Sequence, residues 1–133
     1  MVIMLYVNTV MQTHIVGVAK STKLASALKL MERSAVSLLP VIYGSKLIGT
    51  ISRKEIAKAQ SSGQALAKTS VEKVMRDDFS FVEAGMHIDE AARVMIKKGL
   101  TRIPVVNNSD EMHCVGMISS TEVLNAKNRV KKK

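Results

Sequence analysis

The amino-acid sequence predicts an α/β (α+β) protein made of two pseudo-symmetric β-α-β-β-α repeats packed sheet to sheet. Three observations carry that expectation. A chain of 133 residues with 47% hydrophobic content can bury one core, or two small cores sharing a face. The chain also repeats itself. Val7-Asn8-Thr9-Val10-Met11 returns as Val71-Glu72-Lys73-Val74-Met75, Leu39-Pro40-Val41 as Ile103-Pro104-Val105, and Gly49-Thr50-Ile51-Ser52 as Gly116-Met117-Ile118-Ser119. The offset is 64 as far as Ile42 and 67 from Ile48, so one three-residue insertion, in a turn, separates the copies. A repeat of this size is a statement about the fold. Third, the apolar spacing within each copy alternates between strand and helix periods. The repeats divide the chain at 1–62 and 63–133, the second ending in a basic tail over 127–133.

Taken in order, the first copy opens with a short apolar run, Ile15 to Val18, predicted as a strand. Leu24, Ala27, Leu28 and Met31 then fall on one helix face, with Ser21 or Thr22 available as the cap. Val36 to Ile42 reads as a strand, Tyr43-Gly44-Ser45 as a tight turn, Lys46 to Ile51 as the next strand, and a helix starts after Ser52. Gln60-Ser61-Ser62-Gly63-Gln64 is the linker signal, and Thr69 or Ser70 is expected to cap a helical turn opening the second copy. The second copy follows suit: Phe79 to Val82, a helix on Ile88, Ala91, Ala92 and Met95, then strands Leu100 to Val106 and His113 to Ile118. Asn107-Asn108-Ser109-Asp110-Glu111 absorbs the insertion, and the last helix follows Ser119. Either unit alone is too small to cover both faces of its sheet, so the copies are expected to pack on each other.

Composition excludes more than it names. Four aromatic residues and no Trp leave few platforms for stacking single-stranded bases. The one cysteine, Cys114, cannot form an internal disulfide and reads as a buried reduced thiol. No stretch reaches transmembrane length, and the apolar start, Met1 to Tyr6, lacks the length and basic flank of a signal peptide, so the expected location is cytoplasmic without membrane insertion. His14, His87 and His113 stand at non-equivalent positions without carboxylate or cysteine partners at ligand spacing, so no metal site is expected. No glycine-rich phosphate loop and no nucleophile motif is present, and no catalytic residue is assigned. The net charge of +9 is concentrated at the end: Lys127, Arg129, Lys131, Lys132 and Lys133 supply five of the twenty basic residues. A solvated, unstructured terminus is expected there, with a polyanion-binding arm as the alternative.

Two pairs of residues stand out against this background. Pro40 and Pro104, the two prolines, sit inside predicted strands, where they belong at an edge, a bulge or the rim of a cleft. Protection of an exposed edge and a place beside a ligand are both open. Ser52-x-x-Glu55 and Ser119-x-x-Glu122 stand where a strand hands over to a helix. That spacing is the capping box, in which serine and glutamate each satisfy an orphan N–H. The same helix start could instead favour a phosphate, with the acid accepting from sugar hydroxyls, and one glutamate cannot easily do both.

Two copies of this pattern, each with a Pro-Val strand and a Gly-h-h-Ser-x-x-acid junction, resemble a tandem pair of cystathionine-β-synthase (CBS) domains, the Bateman module, over roughly Tyr6 to Ala126. The resemblance implies a regulatory module that binds adenine nucleotides or related adenosyl ligands and is not an enzyme; at this length it would stand alone. It further implies two clefts, each combining the opening strand and pre-proline residues of one copy with the junction of the other. Carried onto this sequence, one cleft takes Ser80, Leu100, Thr101, Arg102 and Pro104 with Ile51, Ser52, Lys54 and Glu55. The other takes Val16, Val36, Ser37, Leu38 and Pro40 with Ile118, Ser119, Thr121 and Glu122. The family's acid is usually aspartate; here it is glutamate twice, which favours the capping role.

The clefts differ in charge. Arg102, Arg53 and Lys54 belong to the first, where the second has Leu38, Ser120 and Thr121. A guanidinium binds phosphate through two parallel hydrogen bonds, so AMP, ADP or ATP is expected in the first cleft, with S-adenosylmethionine or NAD as alternatives and no required cofactor. Ligand binding would signal by conformational change to an unknown regulated protein, and a homodimer through the helical faces is expected, with Ala91 and Ala92 permitting close approach. The rival functions are a nucleic-acid or polyanion binder acting through the tail and a ligand-free dimerisation scaffold.

Overall fold

The computed structural model describes residues 4–131. Their order is α1 (Val7–Val10), α2 (Leu24–Ser34), β1 (Leu38–Tyr43), β2 (Lys46–Ser52), α3 (Arg53–Ser61), a 3-10 turn (Val71–Lys73), β3 (Val82–Glu83), α4 (Ile88–Lys98), β4 (Arg102–Val106), β5 (Cys114–Ser119) and α5 (Ser120–Lys131). They form two compact units. Val16–Phe79 is one, the α2/α3 unit; the described residues up to Ile15 join those from Ser80 onward in the other, the α4/α5 unit. The sequence repeats (1–62 and 63–133) mark what is alike, whereas these units mark what packs together, and the two divisions differ by the opening segment of each copy.

In the α2/α3 unit, β1 and β2 form an antiparallel hairpin with Leu38 opposite Ser52 and Pro40 opposite Thr50. Leu24, Ala27 and Met31 of α2 and Ile56 and Ala59 of α3 bury against Leu39, Val41 and Ile51. The strand expected over Ile15 to Val18 shrinks to a single parallel bridge from Val18 to Val41. Val18 donates to Pro40 O at 3.0 Å and accepts from Ile42 N at 2.8 Å, after which a turn closed by Thr22 N on Ala19 O diverts the chain. That turn also uses the proposed cap: Thr22 Oγ1 accepts from Ala19 N, so Lys23 stands at the N-cap of α2 without a side-chain bond. The 3-10 turn likewise lacks a side-chain cap at Ser70, and the Thr69 hydroxyl donates to Ala65 O instead.

The α4/α5 unit repeats the plan with a three-stranded sheet, ordered β3-β4-β5, with β3 parallel and β5 antiparallel to β4. Its core is Val7, Val82, Ile88, Ala91, Met95, Ile103, Val105, Ile118, Val123 and Ala126. Pro104 therefore lies on a central strand, but one residue before the pairing with β3 begins at Val105, where no ladder N–H is required. Both α2 and α4 end on a left-handed residue that donates back to the helix: Gly99 in α4, and Ala35 (φ 55°) at the matching place in α2. Left-handed backbone suits glycine, so the α2 terminus is the more strained.

The C terminus departs from expectation. Residues 127 to 131 continue helix α5 rather than forming an unstructured tail, because Val123 and Ala126 anchor the helix in the core and Lys127 Nζ holds Asp89 Oδ1 at 2.7 Å. Lys132 and Lys133, like Met1 to Ile3, lie outside the described residues. Among the described residues no helix is long and apolar enough to cross a membrane.

Candidate functional site

Each unit presents one strand-to-helix junction beside one pre-proline strand start. At the β2–α3 junction the capping box is complete: Glu55 N donates to Ser52 Oγ (3.2 Å) and Ser52 N donates to Glu55 Oε1 (2.9 Å). At the β5–α5 junction Glu122 N donates to Ser119 Oγ (3.2 Å), while Glu122 Oε1 accepts from Ser119 N (2.9 Å) and from its hydroxyl (3.1 Å). The glutamates are thus engaged as caps in both units. The next N–H is also taken, since Arg53 N donates to Ser37 O and Ser120 N to Thr101 O, each at 2.9 Å. Among the first three helical N–H groups, only those of Lys54 and Thr121 lack an acceptor among these bonds. A helix start this well satisfied offers an anion little by itself.

The strand side is where the units differ. Arg102 stands opposite Ser119, and the matching residue of the other unit, Leu38, opposite Ser52. The Arg102 guanidinium donates through Nη2 to Gln12 Oε1 at 3.4 Å, its Nε–H is buried without an acceptor, and no carboxylate lies within ion-pair distance of it among the described residues. A buried donor left unpaired costs at least about 1–3 kcal/mol, a cost that an acceptor brought to this Nε–H would relieve.

The other candidate residues sort by exposure. Ile51 and Ile118 are fully buried in the two cores and can offer a ligand only main-chain atoms. Pro40 and Pro104 are buried; Val16 and Val36 pack against the α2/α3 core and Leu100 against the other. Ser80 is half-buried, whereas Ser37, Thr101, Lys54 and Thr121 are exposed. Two residues that the sequence reading did not single out belong to this surface. Gln12 bridges to Met117, and Arg76, at the matching position of the other unit, bridges to Thr50. The constant offset of 64 was the signal that could have found them. Among the described residues no group of three His, Cys, Asp or Glu side chains is placed to hold a metal.

The family model described as CBS domain matches residues 7–62 and again 71–129. The chain belongs to the CBS domain family. It is a tandem CBS pair, and solved CBS pairs share its fold. The CBS-pair protein CBSX2 from Arabidopsis thaliana superposes with a TM-score of 0.84 at 22% identity, over 98% of this chain and 99% of that one. The CBS domain pair of protein MJ0100, in complex with 5′-methylthioadenosine and S-adenosyl-L-methionine, gives 0.80 at 22% identity over 98% and 100%. Among curated relatives, an inosine-5′-monophosphate dehydrogenase of Korarchaeum cryptofilum is 28% identical over 109 residues, 82% of this chain but 21% of the relative. The uncharacterized protein MJ0188 of Methanocaldococcus jannaschii is 28% identical over 120 residues, 89% of this chain and 42% of the relative. The chain therefore spans less than half the length of these relatives.

Proposed function

We propose that this CBS pair is a non-catalytic regulatory module that binds an adenine nucleotide, AMP, ADP or ATP, and passes the binding on as a change of conformation. The observation that carries the reading is Arg102: a guanidinium at the strand start, partnered among the described residues by an amide and with one buried N–H unpaired. Its chemistry suits a phosphate, which would supply the acceptors the ligand-free chain lacks. Supporting the adenosyl class is the ligand pair held by the CBS domains of MJ0100. Supporting a regulatory role, the residues this chain shares with its relatives are matched by the CBS domain model, over 7–62 and 71–129. Signalling requires only that the ligand favour one of two conformations, by its difference in affinity for them.

The test is a thermal-melting screen over AMP, ADP, ATP, NAD and S-adenosylmethionine, followed by calorimetry on wild type, Arg102→Ala, Ser52→Ala and Ser119→Ala. Nucleotides are expected to raise the melting temperature, and Arg102→Ala to weaken AMP by about tenfold, the scale of one charged contact. The two serine variants, each also combined with Arg102→Ala, decide which junction acts with Arg102: Ser119 faces it across the hairpin, and the family resemblance pairs it with Ser52. Equal affinity in all variants would sink the assignment. Binding only to polyanions, lost on removal of residues 127–133 and steep in salt, would move the function to the alternative.

A further inference from the structure

Apart from Arg53 at the start of α3, each unit carries an arginine beside its own hairpin, but on different elements. In the α4/α5 unit it is Arg102 on β4, with Gln12 in the segment after α1. In the α2/α3 unit the matching strand residue is Leu38, and the arginine is Arg76, at the place equivalent to Gln12. Their electrostatic fates are opposite. Arg76 donates from Nε and Nη2 to the two oxygens of Asp78, both at 3.2 Å, and its Nε lies 3.9 Å from Glu55 Oε2. Two carboxylates thus already face it, in an exposed and solvent-screened setting. Arg102 meets a carboxamide instead, and the position matching Asp78 is His14.

We propose that Gln12 is a positioning residue that orients the Arg102 guanidinium without cancelling its charge, and so sets the preference for anionic over neutral ligands. The inference rests on the reading of Arg102 as the anion contact. Gln12 is well placed for the role because its main chain is fixed: its N–H donates to Met117 O at 2.8 Å and its carbonyl accepts from Met117 N at 2.9 Å. The side chain therefore starts from a rigid point and reaches a residue ninety positions away in sequence. An amide oxygen accepts one bond from the guanidinium and leaves the full positive charge for a ligand. A carboxylate there would form a two-bond ion pair and compete with phosphate. In the other unit that competition is already built in, so the transposed arginine offers an anion much less.

The experiment compares wild type, Gln12→Glu and Gln12→Ala in two measurements. Calorimetry with AMP and adenosine reads charge preference, and nitrogen-15 NMR of the Arg102 Nε–H, assigned through Arg102→Lys, reads side-chain order in the ligand-free chain. Gln12→Glu is expected to lower the AMP-to-adenosine affinity ratio about tenfold, the effect of one neutralised charge, with adenosine binding nearly unchanged. Gln12→Ala is expected to broaden or lose the Nε–H signal while far-ultraviolet circular dichroism stays the same. A wild type that binds neither ligand overturns the proposed function. A wild type that prefers AMP, with that preference unmoved in Gln12→Glu, or an Nε–H signal unchanged in Gln12→Ala, overturns the present inference alone.

Discussion

The Met11 sulfur lies 2.7 Å from where a β carbon on Gly116 would stand, and the main-chain oxygen of Gln12 is equally close. The same relationship recurs between Met75 and Gly49, at 2.8 Å, with Arg76 O at 3.0 Å. The segment that opens each sequence repeat thus docks on the glycine of a hairpin, and the close approach is what requires glycine there. Gly116→Ala is expected to destabilise the chain by about 1–3 kcal/mol, since a methionine can move aside but the backbone oxygen is held in a bridge. Gly49→Ala should cost somewhat less. Gly85, which has nothing within 4 Å of its added carbon, is the control, and Gly85→Ala should be neutral or slightly stabilising. Urea denaturation measures all three, and equal midpoints would refute the docking argument.

The docking also shows which parts of the structure were legible in the sequence. The repeat, the helices and the hairpins were, because periodicity and turn residues act locally. The capping boxes were too, since Ser52 and Glu55, or Ser119 and Glu122, are three residues apart. The exchange of opening segments was not: Met11 and Met75 are equivalent whichever hairpin each one covers, so the repeat alone does not assign the partner. Ser21 or Thr22 as the α2 cap failed because the Thr22 hydroxyl serves a preceding turn, a competition invisible in a one-dimensional pattern. Arg102 was legible as a charge at a motif position, whereas its partner Gln12 depends on a contact across ninety residues.

Lys127, within α5, and Asp89 tie that helix to the first turn of α4, and the pair sets the acid sensitivity of that contact. The hydrogen bond from Lys127 pulls the Asp89 carboxyl below its ordinary range, with smaller help from His87 and Arg93. A folded value below the unfolded one means the contribution is complete at neutral pH and is lost as pH falls through the carboxylate range. Both partners are substantially exposed, so the effect is expected to stay below about 1 kcal/mol and to shrink with added salt. Comparing wild type with Asp89→Asn in denaturant melts from neutral to acidic pH checks this. The two should differ at neutral pH and converge in acid; a constant gap would point to a cause other than titration.

The homodimer expected from the helical faces has larger apolar side chains to draw on than Ala91 and Ala92. Ala91 is fully buried in its own core, whereas Ala92 is only partly buried against it. The exposed apolar side chains of the same helices are Ile96, at 80%, and Leu124, at 58%, where the other unit has Glu32 and Ala57. We propose that a second copy covers this α4/α5 face. Sedimentation velocity should find a dimer that the double substitution Ile96→Glu with Leu124→Glu converts to a folded monomer. A wild type that sediments as a monomer at high concentration removes the proposal.

Glutamate in place of the family's usual aspartate has a structural reading in the capping boxes. Each glutamate Oε1 returns to the N–H of its own serine at 2.9 Å, which a carboxylate one methylene shorter reaches less well. The longer acid therefore strengthens the helix start while withdrawing its oxygen from any sugar. Glu55→Asp and Glu122→Asp are each expected to lower stability by about 0.5–1 kcal/mol, within the range of cap losses, and to increase discrimination between adenosine and 2′-deoxyadenosine. Glutamine at either position preserves an acceptor for the serine N–H and should hold stability near wild type. Thermal melts paired with calorimetry on both nucleosides separate the two effects: aspartate variants that lose stability without gaining discrimination would confine these residues to capping, and variants that keep wild-type stability would show that the returned hydrogen bond contributes nothing.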